Sequence, residues 1–136
     1  MNITITIGVF LFMVKEVFCT LQIEGTHNWP SCPFDEVAYL RDPHRHVFHI
    51  KAHKPVFHDD RDVEFIMLKH KIQKFLIGKY WSGYTPREEF SGTAVCEFGS
   101  MSCEMIAQEL IEVFDLSRCE VSEDNENGAI VTNVTD

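Results

Sequence analysis

Residues 15–24, KEVFCTLQIE, alternate between apolar and polar, with Val17, Cys19, Leu21 and Ile23 on one side and Phe18 the exception on the other. Side chains of an extended chain point to opposite faces in turn, so this pattern predicts a strand with one buried face. Gly25 and His27 keep the same parity. A loop rich in Pro, Ser and Asp follows, NWPSCPFDEVAYLRDP. Residues 44–52 predict a second strand. His44, His46, Phe48, Ile50 and Ala52 share one of its faces, and Arg45, Val47, His49, Lys51 and His53 share the other. His44 and His46 therefore point the way the core points, and His49 and His53 point to water. KPVFHDD predicts a turn.

The period then changes. In DVEFIMLKHKIQKFLIGK, the residues Phe65, Leu68, Ile72, Phe75 and Leu76 fall at helical spacing. This predicts a helix from Glu64 to Ile77, with Gly78 as its stop. Residues 79–100 have no clear period, and a loop of that length in a compact domain is uncommon and often functional. A second helix is predicted from Met101 to Phe114, capped by Ser102, with Glu104 complementing its positive end and Ile106, Leu110 and Val113 forming its stripe. RCEVSE and AIVTNV read as two more strands, and the Asn-Gly of the intervening NENG predicts the hairpin turn. The order is β-β-α-α-β-β, an α+β chain with no internal repeat and no low-complexity tract.

At 136 residues, with 45% hydrophobic and 24% charged positions, the chain has the make-up of one soluble domain with a real core. Residues 1–14 form an N-terminal extension and residues 15–136 the domain. MNITITIGVFLFMV is apolar but lacks a basic leader and a small-residue cleavage site, and it is too short to span a bilayer. A strand or a disordered extension is the plain reading, and a weak signal or anchor the minority one. Twelve Lys and Arg against 21 Asp and Glu give a formal charge of −9. That argues against nucleic acid, which needs a basic footprint to displace counterions. Five cysteines, odd in number and without a C-x-x-C pair, fit free thiols in a reducing, cytoplasmic compartment rather than a disulfide framework. The sequons at Asn2 and Asn133 matter only in a secreted chain.

The histidines carry the chemistry. Residues 42–53, DPHRHVFHIKAH, hold four of the seven. H-x-H on a strand sets two imidazoles on one face within reach of one ion, and His27, leaving its own strand on the core side, can supply a third nitrogen. Three imidazoles suit zinc and leave a fourth position open, where an ion would polarise a substrate oxygen or acidify water. The plain alternative is polar histidines at a strand mouth, satisfied by backbone carbonyls. His49, His53, His58 and His70 are expected at the surface.

The stretches GTHNW, PHRHVFHIKA, DVEFIMLKHKIQKFL, SMSCEMIAQELIEVF and RCEVSEDNENGAIV, taken in order, resemble the 6-pyruvoyl-tetrahydropterin synthase and 6-carboxy-tetrahydropterin synthase (queuosine-pathway) family over residues 15–132. The resemblance implies the tunnelling fold: a four-stranded antiparallel sheet with two helices on one face, assembling into a barrel. It implies Zn2+ on His27, His44 and His46, which stand where that family's three zinc histidines stand. It also implies that Glu123 holds the N–H edge of a pterin- or purine-like ligand, since two carboxylate oxygens can take two parallel donors. Without the resemblance Glu123 reads as a solvated hairpin residue.

The departures from the family are equally plain. Its catalytic cysteine lies a few residues before the H-x-H, where this chain has Leu40 and its neighbours; Cys32 is farther upstream. Its Asp-His pair after the first helix has no counterpart, because residues 79–100 contain neither residue type and no histidine follows His70. Acid–base work needs a titrating group within reach. Cys96, Glu97, Glu88 and Tyr84 are stand-ins that nothing separates, so the catalytic residues are unknown. Three readings follow: a divergent zinc-dependent lyase of the tetrahydropterin synthase type, a non-catalytic module that sequesters or senses such a ligand, and a structural homologue without metal. The resemblance also implies pockets that lie between subunits, and with them a homo-oligomer, a hexamer of two stacked trimers. Open sheet edges favour such closure independently.

Overall fold

The computed structural model describes residues 13–83 and 94–134. Strand β1 (Lys15–His27) leads through a short 3-10 helix (Asp35–Arg41) to β2 (His44–Val56). Helix α1 (Phe65–Tyr80), strand β3 (Cys96–Gly99), helix α2 (Cys103–Phe114) and strands β4 (Arg118–Glu123) and β5 (Asn127–Thr132) follow. The strands form one sheet in the order β3-β1-β2-β4-β5. β1 and β2 pair antiparallel along their whole length, from Lys15 opposite Val56 to His27 opposite His44.

The expected alternation builds the core. Cys19, Leu21 and Ile23 of β1, Phe48, Ile50 and Ala52 of β2, and Cys119 and Val121 of β4 are buried on one face. The same cluster contains Leu68, Ile72 and Leu76 of α1 and Ile106, Ala107, Leu110 and Ile111 of α2, so both helices cover that face. Phe18, on the other face, is half exposed beneath the Lys51 ammonium, which lies 4.5 Å from its ring centre.

Several expectations need correction. The sheet has five strands, not four, and is not wholly antiparallel: β3 pairs parallel with the end of β1. β3 is only four residues long and alternates buried and exposed as Cys96, Glu97, Phe98 and Gly99. So short a pattern gives no usable period, yet Phe98 is buried against Phe48, with ring centres 5.1 Å apart. β2 continues through Lys54–Pro55–Val56, where a turn was expected, because β1 offers it partners as far as Lys15. Helix α1 passes through Gly78 to Tyr80. A glycine costs a helix only about 1 kcal/mol, and Leu76 behind it is fully buried. Glu64 caps α1 by accepting the Met67 N–H at 2.7 Å. Ser102 caps α2 as expected, but the helix begins at Cys103 rather than Met101. The loop after β1 contains an unforeseen 3-10 helix.

The last hairpin turns at Asp124 and Asn125, both left-handed at φ 55° and 58°, and not at Asn127-Gly128. Asp and Asn tolerate that conformation well. Gly128 serves a different purpose. A Cβ there would lie 2.2 Å from Val121 O and 2.5 Å from Ser122 Cα, so the β4–β5 register requires a glycine.

His53 is also corrected. It is buried, not exposed, because its cross-strand neighbours cover it. Its Nε2 lies 2.8 Å from Glu120 Oε2, and its ring sits 5.9 Å from that of Phe18. His58 and His70 are exposed as expected, and His49 is half-buried. Tyr84, Glu88 and most of the N-terminal extension lie outside the described residues. Among the described residues no helix is long and apolar enough to cross a membrane, and all five cysteines are free and buried.

Candidate metal centre

Strand register brings the three histidines together. His27, the last residue of β1, is directly opposite His44, the first of β2. His46, two residues on, faces Gly25. Opposed residues of an antiparallel pair share a face, so the three rings cluster at one end of the core side. Their centres are 4.6 Å (His27–His44), 5.3 Å (His27–His46) and 4.9 Å (His44–His46) apart. Gly25 leaves room beside them: a Cβ there would lie 2.7 Å from the Phe98 ring, which together with Phe48 floors the cluster.

Each ring is oriented through its Nδ1. His27 Nδ1–H donates to Met101 O at 2.9 Å, and His44 Nδ1–H donates to Asp42 O at 2.9 Å. His46 Nδ1–H donates to Asp124 Oδ2 at 2.7 Å. A carbonyl oxygen only accepts, so the first two bonds place a proton on Nδ1 and leave Nε2 as the nitrogen a metal would take. The carboxylate does the same for His46. Metal-bound imidazoles are held in this way, with the second nitrogen donating to a carbonyl or carboxylate.

The inward nitrogens fit a cation. One ligand nitrogen from each of His27, His44 and His46 lies within 4.8 Å of the others. His27 Nε2 and His46 Nε2 are buried and make no hydrogen bond. Buried polar atoms are almost always partnered, and a cation bound between these two nitrogens would partner both. Neutral imidazole suits zinc, at bonds of about 2.0–2.1 Å.

Asp124 gave no signal in the sequence beyond its place in a turn. Its left-handed backbone lets it grip β2 three times. Its N–H donates to Val47 O at 2.8 Å, its Oδ1 accepts Val47 N–H at 2.9 Å, and its Oδ2 holds His46. The Val47 N–H and then His46 hold its carboxyl below the usual aspartate range. Asp124→Asn is expected to weaken zinc binding about 10–100-fold, the usual cost of losing such a supporting partner. Competition against a chelator measures it, and an unchanged affinity would show that Asp124 does not orient the ring.

Glu123 ends β4 on the core-facing side, opposite Phe48. Its Oε1 is 3.0 Å from His27 Nε2 and its Oε2 3.3 Å from His46 Nε2. Neither nitrogen is hydrogen-bonded. Glu123, His27 and His44 line a cavity of about 490 Å³ that also takes in Trp29, Met101 and Cys103. A larger groove of about 740 Å³ runs past Gln22, His49 and Lys51 and contains none of the three histidines. The histidine cavity holds the convergent polar groups that mark a binding site, so chemistry rather than size selects it.

No thiol near this cavity is ready to react. Burial, followed by the Glu123 and Glu104 carboxylates, pushes the Cys103 thiol up to about 12. Burial alone raises Cys96 to about 11. A thiol this reluctant to ionise is a poor nucleophile at neutral pH. Cys32 is buried in its loop, near the Phe34 and Val37 carbonyls. Glu97 lies exposed on β3.

No family model matches the sequence, and no curated protein matches it. Solved structures do. One similar chain is an uncharacterized protein from Wolinella succinogenes, at TM-score 0.58 and 14% identity, covering 90% of this chain and 99% of that one. Another is Caenorhabditis elegans 6-pyruvoyl tetrahydropterin synthase, at TM-score 0.55 and 13% identity, covering 90% and 97%. At such identities the likeness concerns the fold, and the chain has the tunnelling fold that 6-pyruvoyl tetrahydropterin synthase adopts.

Proposed function

We propose that this protein is a divergent, zinc-binding relative of the 6-pyruvoyl- and 6-carboxy-tetrahydropterin synthases that binds a pterin- or purine-like ligand beside the ion. One observation carries the reading: three imidazoles, each with Nδ1 tied down, bring one ligand nitrogen apiece within 4.8 Å of the others, beside a cavity that His27 and His44 line. A zinc ion on His27, His44 and His46 would supply Lewis acidity toward a ligand's side-chain oxygens. Glu123 is placed to accept N–H donors from a heterocycle edge, and Trp29 offers an aromatic wall in the same cavity. Among the described residues, β3 and β5 form the two edges of the sheet, with Cys96 of β3 also bridged to Trp81. Their pairing with further copies would close a barrel, in the hexamer of two stacked trimers that the resemblance implies.

The reaction of the synthases is a separate matter. Cys103 and Cys96 hold their protons, and the chain has no histidine after His70. These facts favour the second reading, a module that sequesters or senses the ligand without turning it over. Untagged protein analysed for metal, then mixed with dihydroneopterin triphosphate, tests both. One zinc per chain and tight binding without product selects the binding module, and product formation selects the lyase. A chain that retains no zinc and binds no pterin defeats the proposal.

A further inference from the structure

The contact between Glu123 and the histidines needs an explanation that an open three-histidine site does not provide. His27 Nε2 and His46 Nε2 are buried and make no hydrogen bond. Glu123 Oε1 stands 3.0 Å from the first and Glu123 Oε2 3.3 Å from the second. A cation among these atoms would be shared by both nitrogens and the carboxylate. The spacing also fits: donors bound to one tetrahedral zinc at about 2.0–2.1 Å stand roughly 3.4 Å apart. The carboxylate sits on β4 and the imidazoles on β1 and β2, so the arrangement is built by the sheet and not by a loose side chain.

We infer that Glu123 is a fourth protein ligand, closing a His27–His44–His46–Glu123 site around the ion when the cavity holds no small molecule. The inference rests on the metal reading above and revises its open fourth position. Four protein ligands are the mark of a closed site. The same two oxygens cannot hold the ion and a heterocycle's N–H edge together. Ligand entry then competes with metal closure, and Lewis-acid work at the ion requires the carboxylate to leave.

The test uses the full chain loaded with Zn2+ or Co2+, comparing wild type with Glu123→Ala and Glu123→Gln, each first checked for native circular dichroism. The wild-type Co2+ protein should show intense four-coordinate absorption bands that millimolar azide leaves unchanged. Glu123→Ala should bind Zn2+ at least about 10–100-fold more weakly, exceeding or matching the loss of a supporting partner, and its Co2+ bands should respond to azide. Glu123→Gln should fall between the two. Wild-type affinity in both variants, with wild-type Co2+ bands that already respond to azide, overturns the fourth ligand and leaves the three-histidine site standing. A wild-type chain that takes up neither metal overturns both.

Discussion

His46→Ala is expected to strip the protein of zinc. Wild type should carry one ion per chain through dialysis, and the variant none, with affinity reduced more than the roughly 100-fold that losing a supporting partner costs. His46 is the natural choice because it is anchored most firmly, by Asp124 on one nitrogen, and because its other nitrogen is buried without a hydrogen-bond partner. The fold should survive. His46 faces Gly25 at the end of the sheet and lies outside the buried core cluster, which it meets at Phe48 with ring centres 5.8 Å apart. His49→Ala is the control, since His49 lies on the opposite face of the same strand and should leave zinc in place. Elemental analysis of both variants decides the matter. Wild-type zinc content in His46→Ala would mean that the three rings serve only as a polar strand end.

Phe48→Ala should have the largest effect on stability, about 3–5 kcal/mol. Phe48 is fully buried. Its ring packs edge-on against Phe98, His27 and His46, at 5.1, 5.2 and 5.8 Å. Removing it opens a cavity beneath the histidine cluster, where the sheet and the β3 segment meet. A loss of that size is a large share of the about 5–15 kcal/mol that holds a typical domain together. It should lower the thermal midpoint by roughly 10–20 °C. Measuring metal-free protein separates lost packing from lost metal. Phe48→Leu, closer in volume, should cost less than half as much. A loss below about 1 kcal/mol for the alanine variant would show that this aromatic floor adds little.

Those two variants probe features of different legibility. The parity that sends His27, His44 and His46 toward the core could be read directly, because a strand alternates with period two and each of the two flanking stretches has a clear apolar face. The helices were legible for the same reason, down to the Ser102 cap. The ends of elements were harder. Gly78 invited a helix stop, and Lys54–Pro55 a turn, yet buried Leu76 and the start of β1, which pairs with Lys54–Val56, carried both elements onward. β3 was invisible because four residues give no period, and its place depends on Phe98 finding Phe48.

By itself, the amino-acid sequence determined the α+β order, the buried face of each long strand, three imidazoles of common orientation, and the absence of the cysteine and Asp-His pair on which the resembling family relies. Tertiary structure alone decided that His27 stands opposite His44, that Asp124 and the Met101 and Asp42 carbonyls aim the rings, and that Glu123 closes on two of them. The division has a physical cause. Periodicity is a local property of the backbone, written every few residues. Register, by contrast, is settled by contacts such as Asp124 with Val47, between residues far apart in the chain, and the convergence of donor atoms on one point follows only from that register.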